Sequence, residues 1–454
     1  MKTILYHSTI LILFAIILFG CATEDNYYDE RHRMWEADLW QLHDRILELY
    51  PGFTRAEFAE LERNIELAQL FTDTIKEFAA NTPNMTDDEV VIGIQRVLAL
   101  FSSNHVWFSD GLHLMLGGPI YPLRFRLLDG GIYLVESHED YAHVMFQRLT
   151  AVNAITIENV MTESTRLLSI ENTYDAWSRL AQYLPVSLIT QSITGGEGQS
   201  MFSFTDSEGN VSHIYPTAES INFSMSFIPT LPALERNIKQ EYNIPLFMQR
   251  PHTGAWITFL EDYGILYLRY RSFELFTWDM IRLADIIRAF NNDDIQAVVI
   301  DARDNPGGGL PSMFPHMLDI IEEHQVPLFY FVNESSRSAA TYMVAYLRRH
   351  GAVVVGQPVG SSMVFSQAVR VVRDGLAVEM HYSDLTVIVP NVYRSEATEE
   401  FATTEFTRLV TVEEWLDGHN TPFYPDILIP HTIEDWAAGR DPLLEYVKTL
   451  LRSN

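Results

Sequence analysis

Two turns in the second half of the chain contain the residue types needed for acyl-transfer chemistry. Residues 301–309 read DARDNPGGG and residues 332–341 read VNESSRSAAT, and each turn follows an apolar run typical of a buried strand. Consecutive glycines at a strand tip expose backbone N–H groups, and small residues at a second tip can present a hydroxyl group beside them. Because acyl transfer needs at least a nucleophile and an oxyanion hole, the two turns predict a serine hydrolase.

Other motifs with known chemistry are absent or malformed. The sequence has neither the GxxxxGK(S/T) phosphate loop nor the GxSxG nucleophile elbow, and the second absence argues against a lipase or esterase. The segment HEDYAH, from His138 to His143, is one residue too long for a zinc-protease helix, since five residues turn an α-helix by about 500° and separate the imidazoles. We therefore expect no metal and no cofactor.

The composition indicates an acidic globular protein with more than one domain. A chain of 454 residues exceeds the usual size of one domain, and 47% hydrophobic with 20% charged residues is typical of a chain that packs a core. Its 60 acidic residues outnumber the 31 basic ones and give a net charge of -29. Such a surface repels phosphate groups, so we expect no nucleic-acid partner.

The first 20 residues have the form of a signal peptide. Lys2 precedes an apolar run that leads to Cys21, the only cysteine of the chain, so no intrachain disulfide can form. This arrangement resembles the lipobox of bacterial lipoproteins, in which the cysteine becomes the lipidated first residue of the mature protein. It predicts a protein anchored by lipid outside the cytoplasm, on the cell membrane or the outer membrane. An ordinary N-terminal anchor helix is the alternative.

Two regions precede the part of the chain that contains the turns. Residues 27–100 have apolar residues at helical spacing, and Thr86 can cap the last of these helices. Residues 119–233 change to a β pattern, with hairpin turns at 129–131 and 208–210. Strands with one helix suggest a peptide-docking module there.

From His252 onward strands alternate with helices. Strands are predicted in the segments YGILYLRYRSF, DIQAVVIDAR, PLFYFVN and AVVVG, and helices over about 278–290, 310–324 and 339–350. This alternation favours a mainly parallel sheet, in which both turns lie at the carboxyl ends of strands.

The two turns resemble those of the carboxyl-terminal processing (tail-specific) serine proteases and their tricorn-like relatives. AVVIDARDNPGGG resembles that family's strand followed by D-x-R-x-N-x-G-G. VNESSRSAAT resembles its N-E-x-T-x-S-(S/A)-A-E motif, which places the nucleophile at Ser338 and puts Thr341 where the family has glutamate. The segments SNHVW, RLTAVNAITIENV, VVVGQPVGSS and PDILIP resemble further family elements, so the resemblance covers nearly all of the mature chain.

The resemblance implies a three-part α/β protein. A helical N-terminal domain with an acidic tether would occupy residues 21–110, a PDZ-like α+β module residues 111–235, and a crotonase-like ββα catalytic domain residues 250–454. The module would dock a peptide terminus by adding it as a strand to a sheet edge. The protein would then be a serine endopeptidase that cleaves peptides or unfolded protein tails. The alternative is a catalytically inactive relative that binds peptides or envelope components.

Members of the family differ in their general base. Processing proteases use a lysine that would fall near residues 361–363, but no lysine lies between Lys239 and Lys448. The tricorn-like members use a histidine placed before the PDZ-like module, which corresponds to His105. An imidazole can accept the serine proton near neutral pH without a large pKa change. A purely structural role is the alternative for His105.

The resemblance also implies the other roles in catalysis. The N–H groups of Gly308 and Ala339 would bind the oxyanion, and Gly307 would keep the turn open. Asp417 is the acid nearest to the position of the tricorn-like orienting glutamate.

Three alternatives concern the serine turn itself. Ser335 or Ser336 could be the nucleophile instead, and Ser338 could merely cap the following helix.

In the glycine turn, Asp301 and Arg303 are expected to have a structural role and to hold the turn through hydrogen bonds and charge.

Overall fold

The computed structural model describes residues 31–48, 50–54, 59–103, 106–108, 119–196, 198–220, 244–250, 253–273, 281–292, 294–309, 313–362, 377–380, 385–388 and 422–453. The chain divides into two compact units. The first comprises the described residues up to Phe101 together with 106–108, 377–380 and 385–388, and the second comprises the remaining described residues. No helix among the described residues is long and apolar enough to cross a membrane.

Helices form most of the first unit, as their apolar spacing predicts. They are α1 (31–48), α2 (Pro51–Thr54), α3 (Glu62–Asn81) and α4 (Asp87–Ala99), followed by the short strand β1 (Trp107–Phe108). The apolar positions of α1 are buried: Trp35, Leu39, Leu42 and Ile46. Thr86 caps α4 in a capping box, in which its hydroxyl accepts the Glu89 N–H while the Glu89 carboxylate accepts the Thr86 N–H. The predicted cap is confirmed.

A β-rich module opens the second unit. Its strands are β2 (Pro119–Ile120), β3 (Leu123–Leu128), β4 (Gly131–Ser137), β5 (Arg148–Val152), β6 (Ile155–Thr156), β7 (Phe202–Thr205), β8 (Val211–Ile214) and β9 (Glu219–Ser220). Strands β3, β4, β5, β7 and β8 form an antiparallel sheet in that order, and β6 pairs with β5. Both predicted hairpins are confirmed. The first turns at Asp129 and Gly130, which have positive φ angles of 46° and 72°, as a tight hairpin requires.

The module contains more helix than its sequence led us to expect. Residues 157–194, all of them described, form α5 (Ile157–Ser164), α6 (Thr173–Tyr183) and α7 (Ser187–Thr194), whereas one helix was predicted. Asn172 starts α6, because its side chain accepts the backbone N–H of Asp175. Asn172 followed by Asp175 is a local helix-start signal in the sequence, but the surrounding β pattern masked it.

The second half of this unit is built on a mainly parallel sheet, as predicted. The described chain orders its strands as β10 (Ala255–Leu260), β11 (Ile265–Tyr270), β12 (Ala297–Asp301), β13 (Leu328–Val332), β14 (Val353–Gly356) and β19 (Ile427–Leu428). Only the β10–β11 pairing is antiparallel. The helices are α8 (Leu283–Asn292), α9 (Phe314–Glu323), α10 (Ala339–Arg349), α11 (Ile433–Ala437) and α12 (Pro442–Arg452).

The central strands β12 and β13 are apolar, apart from Asp301 at the end of β12, because helices cover both faces of the sheet. Every residue of β12 and β13 is buried. One face packs against α9 and α10 through residues such as Met317 and Met343, and the other packs against α12 through Leu443 and Val447. The carboxyl ends of β12 and β13 therefore meet at one edge, and the glycine and serine turns follow them.

The remaining described strands lie outside this sheet. β15 (Val359–Ser362) pairs antiparallel with β18 (Pro422–Phe423). β16 (Ala377–Met380) and β17 (Leu385–Ile388) belong to the first unit, where β17 pairs with β1.

Candidate active site

Ser338 lies at the point where the chain leaves the serine turn and enters α10. Its backbone angles are φ 51° and ψ −119°, a conformation that residues with a side chain rarely adopt. The serine occupies the N-cap position, yet its side chain makes no capping hydrogen bond to the helix. The geometry therefore argues against a simple capping role.

Gly307 packs directly against Ser338. A Cβ atom at Gly307 would lie 2.5 Å from the Ser338 Cβ atom and 3.0 Å from the Ala339 nitrogen, and the φ angle of 106° also favours glycine. The two turns, separate in sequence, thus meet with no room for a side chain between them.

Two backbone N–H groups at this meeting point have no acceptor within the described part of the chain. Gly308 forms a parallel bridge with Phe273, in which Gly307 O accepts the Phe273 N–H and Gly309 N donates to Phe273 O, both at 2.8 Å. The N–H of Gly308 consequently points away from Phe273. The N–H of Ala339 belongs to the first turn of α10, so it has no acceptor within the helix, and no described residue accepts it either. Together these groups can bind a negatively charged oxygen.

The other serines of the turn have structural contacts. Ser336 is fully buried, accepts the Asn333 N–H at 3.0 Å and donates to Ala302 O at 2.9 Å. Ser335 is also buried, and its hydroxyl lies 2.7 Å from that of Ser178. Both hydroxyls are engaged in joining parts of the fold, which disfavours them as rival nucleophiles.

A buried charge network holds the glycine turn. Arg303 contacts Asp301 through its backbone and side chain, and it binds Asp441 through two hydrogen bonds of 3.0 and 2.7 Å. Burial alone would raise the pKa of Asp301, but the charges of Arg303 and Arg269 outweigh it and lower that pKa. The hydroxyl of Tyr267 also donates to Asp301 at 2.6 Å. These contacts agree with a structural role for Asp301 and Arg303.

Two asparagines that sequence reasoning missed connect the turns. Asn305 accepts the Gly307 N–H with its side chain at 2.8 Å and accepts the Arg337 N–H with its backbone oxygen at 2.9 Å. Asn333 accepts the Asp304 N–H and donates to the Asp304 carboxylate, both at 2.8 Å. Asn305 stands four residues after the end of β12 and Asn333 one residue after the end of β13, and their turn-forming chemistry could have identified both.

The β-rich module contributes charged groups to the same turns. Arg126 of β3 binds the Asp304 carboxylate at 2.7 and 3.1 Å. Burial opposes ionisation of Asp304, yet the charge and hydrogen bond of Arg126 hold its pKa well below the usual range. Glu334 lies nearby, and burial raises its pKa to about 7 although the charges of Arg126 and Arg337 oppose the rise. Its buried Oε2 atom has no hydrogen-bond partner among the described residues.

Comparisons with known proteins identify the fold. No family model and no curated protein sequence matches the chain. The chain is similar in fold to mature CPAF. The crystal structure of mature CPAF aligns with a TM-score of 0.53 at 12% identity, covering 93% of this chain and 97% of that chain. The CPAF complex with lactacystin aligns with a TM-score of 0.55 at 12% identity, covering 93% and 98%. At this identity the likeness shows the mixed α/β fold alone.

A weaker alignment is with the crystal structure of the tricorn protease. It has a TM-score of 0.40 at 12% identity and covers 92% of this chain but 37% of that chain.

The remaining predicted site residues fall outside the described part of the chain. These are the base His105, the acid Asp417 and the lipidation site Cys21. Thr341, where the family has glutamate, is buried in α10 and its hydroxyl lies 3.4 Å from Ser336 O. No cluster of metal-ligating side chains occurs among the described residues.

Proposed function

We propose that this protein is a serine-type peptidase with Ser338 as its nucleophile. The observation that carries the proposal is the meeting of the two turns: Ser338 has a strained backbone, Gly307 packs against it, and the N–H groups of Gly308 and Ala339 have no acceptor among the described residues. The resemblance of both turns to the tail-specific serine proteases supports it, as does the shared fold with CPAF.

The proposed reaction proceeds through an acyl-enzyme. His105 accepts the hydroxyl proton while the Ser338 oxygen attacks a peptide carbonyl, and the N–H groups of Gly308 and Ala339 stabilise the oxyanion, each contributing about 3 kcal/mol. The leaving amine takes the proton from His105, and water then hydrolyses the ester. In this scheme Asp417 orients His105.

The proposal extends to the organisation and location of the protein. Residues 250–454 form a crotonase-like catalytic domain, and residues 111–235 form a PDZ-like module that docks a peptide or an unfolded protein tail as an added strand. A lipid at Cys21 anchors the protein to a bacterial membrane outside the cytoplasm. The strongly acidic composition is consistent with a protein substrate rather than a nucleic acid.

Labelling with a fluorophosphonate probe tests the nucleophile. The full-length protein should form a covalent adduct, and the Ser338→Ala and His105→Ala variants should not. Ser207→Ala and His316→Ala are matched controls, because Ser207 lies in the β7–β8 turn and His316 is exposed on α9. Labelling that persists in Ser338→Ala would show the nucleophile assignment to be wrong.

The second candidate function is peptide binding without catalysis. It is favoured by Thr341, which replaces the family's glutamate with a buried hydroxyl that cannot carry charge. In this case the wild-type protein would not be labelled, yet it would bind unfolded peptides, which fluorescence anisotropy with labelled peptides would detect.

A further inference from the structure

One face of α6 lies against the serine turn. Asp175, Ser178 and Gln182 follow each other at helical spacing and therefore share that face. Asp175 accepts a hydrogen bond from Arg337 Nε at 2.8 Å, and Ser178 accepts one from Arg337 Nη2 at 3.0 Å. Gln182 donates to the hydroxyl of Ser335 at 3.0 Å. The residue immediately before Ser338 is thus held by a helix of the β-rich module.

Asp175 is the centre of this contact. Its side chain is fully buried and also accepts hydrogen bonds from Arg179 Nε at 2.9 Å and from the Glu171 N–H at 3.1 Å. Arg337 is 8% exposed and has little access to water as an alternative partner. A buried guanidinium and a buried carboxylate in such geometry hold each other in place, because neither charge is tolerated alone.

A second path leads from the same helix end to Ser338. Asn172, the cap of α6, donates to Val359 O at 3.2 Å in β15. Two residues later in β15, the hydroxyl of Ser361 accepts the backbone N–H of Ser338 at 3.1 Å. Gly360 between them allows the close approach, since a Cβ atom there would lie 2.3 Å from Glu334 O. The N-terminal end of α6 is therefore connected to Ser338 both through Arg337 and through β15.

The geometry points to Asp175 as a positioning residue for Ser338: through Arg337 it holds the serine turn in the conformation that presents the nucleophile. A strained backbone such as that of Ser338 persists only where surrounding contacts over-determine it. Asp175 supplies such a contact from a part of the chain that has no proposed chemical role. That Asp175 holds the serine turn is independent of the proposed function, whereas its effect on catalysis rests on the proposed function.

The experiment compares Asp175→Asn with wild type in the full-length protein. Two quantities are measured well below the melting temperature: the rate constant of fluorophosphonate labelling and the hydrogen–deuterium exchange of residues 333–342. Asp175→Asn keeps the shape but removes the charge, so labelling should slow at least tenfold and exchange of the turn should rise. Asp206→Asn is the matched control, because Asp206 also accepts several hydrogen bonds but lies in the β7–β8 turn.

A double variant separates positioning from stability. Asp175→Asn/Arg337→Met removes both charges of this pair but also the carboxylate that Arg179 binds, so its melting temperature should recover part of the loss seen in Asp175→Asn. If Asp175 positions Ser338, labelling remains slow in the double variant. If labelling recovers with the melting temperature, Asp175 only stabilises the fold and the inference is wrong.

The remaining outcomes are also distinct. Unchanged labelling and unchanged exchange in Asp175→Asn overturn the inference. Absent labelling of the wild type contradicts the proposed function instead. In that event the exchange of residues 333–342 still decides whether Asp175 holds the turn.

Discussion

Gly307 and Ser338 approach each other so closely that the residue type at position 307 has a direct physical basis. The positive φ angle alone would favour glycine, and the neighbouring Cβ and nitrogen atoms of the serine turn leave no volume for a methyl group. By contrast, Gly351 has a positive φ angle of 77° but no atom within 4 Å of its would-be Cβ. A substitution at Gly307 would therefore cause both backbone strain and a steric clash, whereas one at Gly351 would cause backbone strain alone.

Gly307→Ala should reduce fluorophosphonate labelling about 100-fold, because the glycine turn must move away from Ser338 by a large fraction of an ångström. Gly351→Ala should lower stability by about 1 kcal/mol through backbone strain and leave labelling unchanged. Labelling rates together with urea unfolding check both expectations. Equal labelling of Gly307→Ala and wild type would show that the contact with Ser338 is not needed.

At the scale of elements, the site depends on how α10 is attached to β13. The buried hydroxyl of Tyr330 in β13 donates to Ala340 O in the first turn of α10 at 2.8 Å. Tyr270 in β11 is equally buried on the same face, but its hydroxyl has no hydrogen-bond partner among the described residues. Tyr330 therefore connects α10 to β13 through a hydrogen bond, whereas Tyr270 contributes only the packing of its ring.

Tyr330→Phe should destabilise the protein by about 1 kcal/mol, since a buried hydrogen bond is lost. Tyr270→Phe should be neutral or slightly stabilising, because it removes an unsatisfied buried hydroxyl. The free energy of unfolding, measured with urea, distinguishes the two variants. Equal losses from both would mean that the Tyr330 hydrogen bond contributes nothing to attaching α10.

At the scale of the whole molecule, the β-rich module and the parallel sheet are joined through partly buried charged side chains beside the site. Arg126 reaches Asp304 in the glycine turn and also lies 4.6 Å from the ring centre of Trp436. Arg124, two residues earlier in the same strand, pairs instead with Glu136 inside the module at 2.9 Å. The strand thus has one arginine that joins the two parts and one that does not.

Arg126→Met should lower the free energy of unfolding by about 2 kcal/mol, because the partly buried Asp304 carboxylate loses its ion-pair partner and keeps the hydrogen bond from Asn333. Arg124→Met should cause a smaller loss, since Arg124 donates one hydrogen bond to Glu136 whereas Arg126 donates two to Asp304. Thermal and urea unfolding of both variants provide the measurement. If Arg126→Met lowers the free energy of unfolding no more than Arg124→Met does, the Arg126–Asp304 pair does not stabilise the contact between the module and the sheet.

The sequence by itself determined the features that have a local signal. Periodicity predicted the helices of the first unit and the parallel sheet, and turn chemistry predicted the hairpins and the capping residue Thr86. Apolar strands ending in glycine or serine also predicted two turns at one sheet edge. Helices, strands, caps and turns of this kind are determined by residues a few positions apart, so they can be predicted without knowing the tertiary structure.

Tertiary structure alone decided which distant residues support Ser338. Asp175 and Arg337 are separated by 162 residues, and Arg126 and Asp304 by 178. No local pattern distinguishes these charged residues from others in a chain with 60 acids and 31 bases. Their pairing follows from burial, because a charge removed from water must find an opposite charge at the place to which packing brings it.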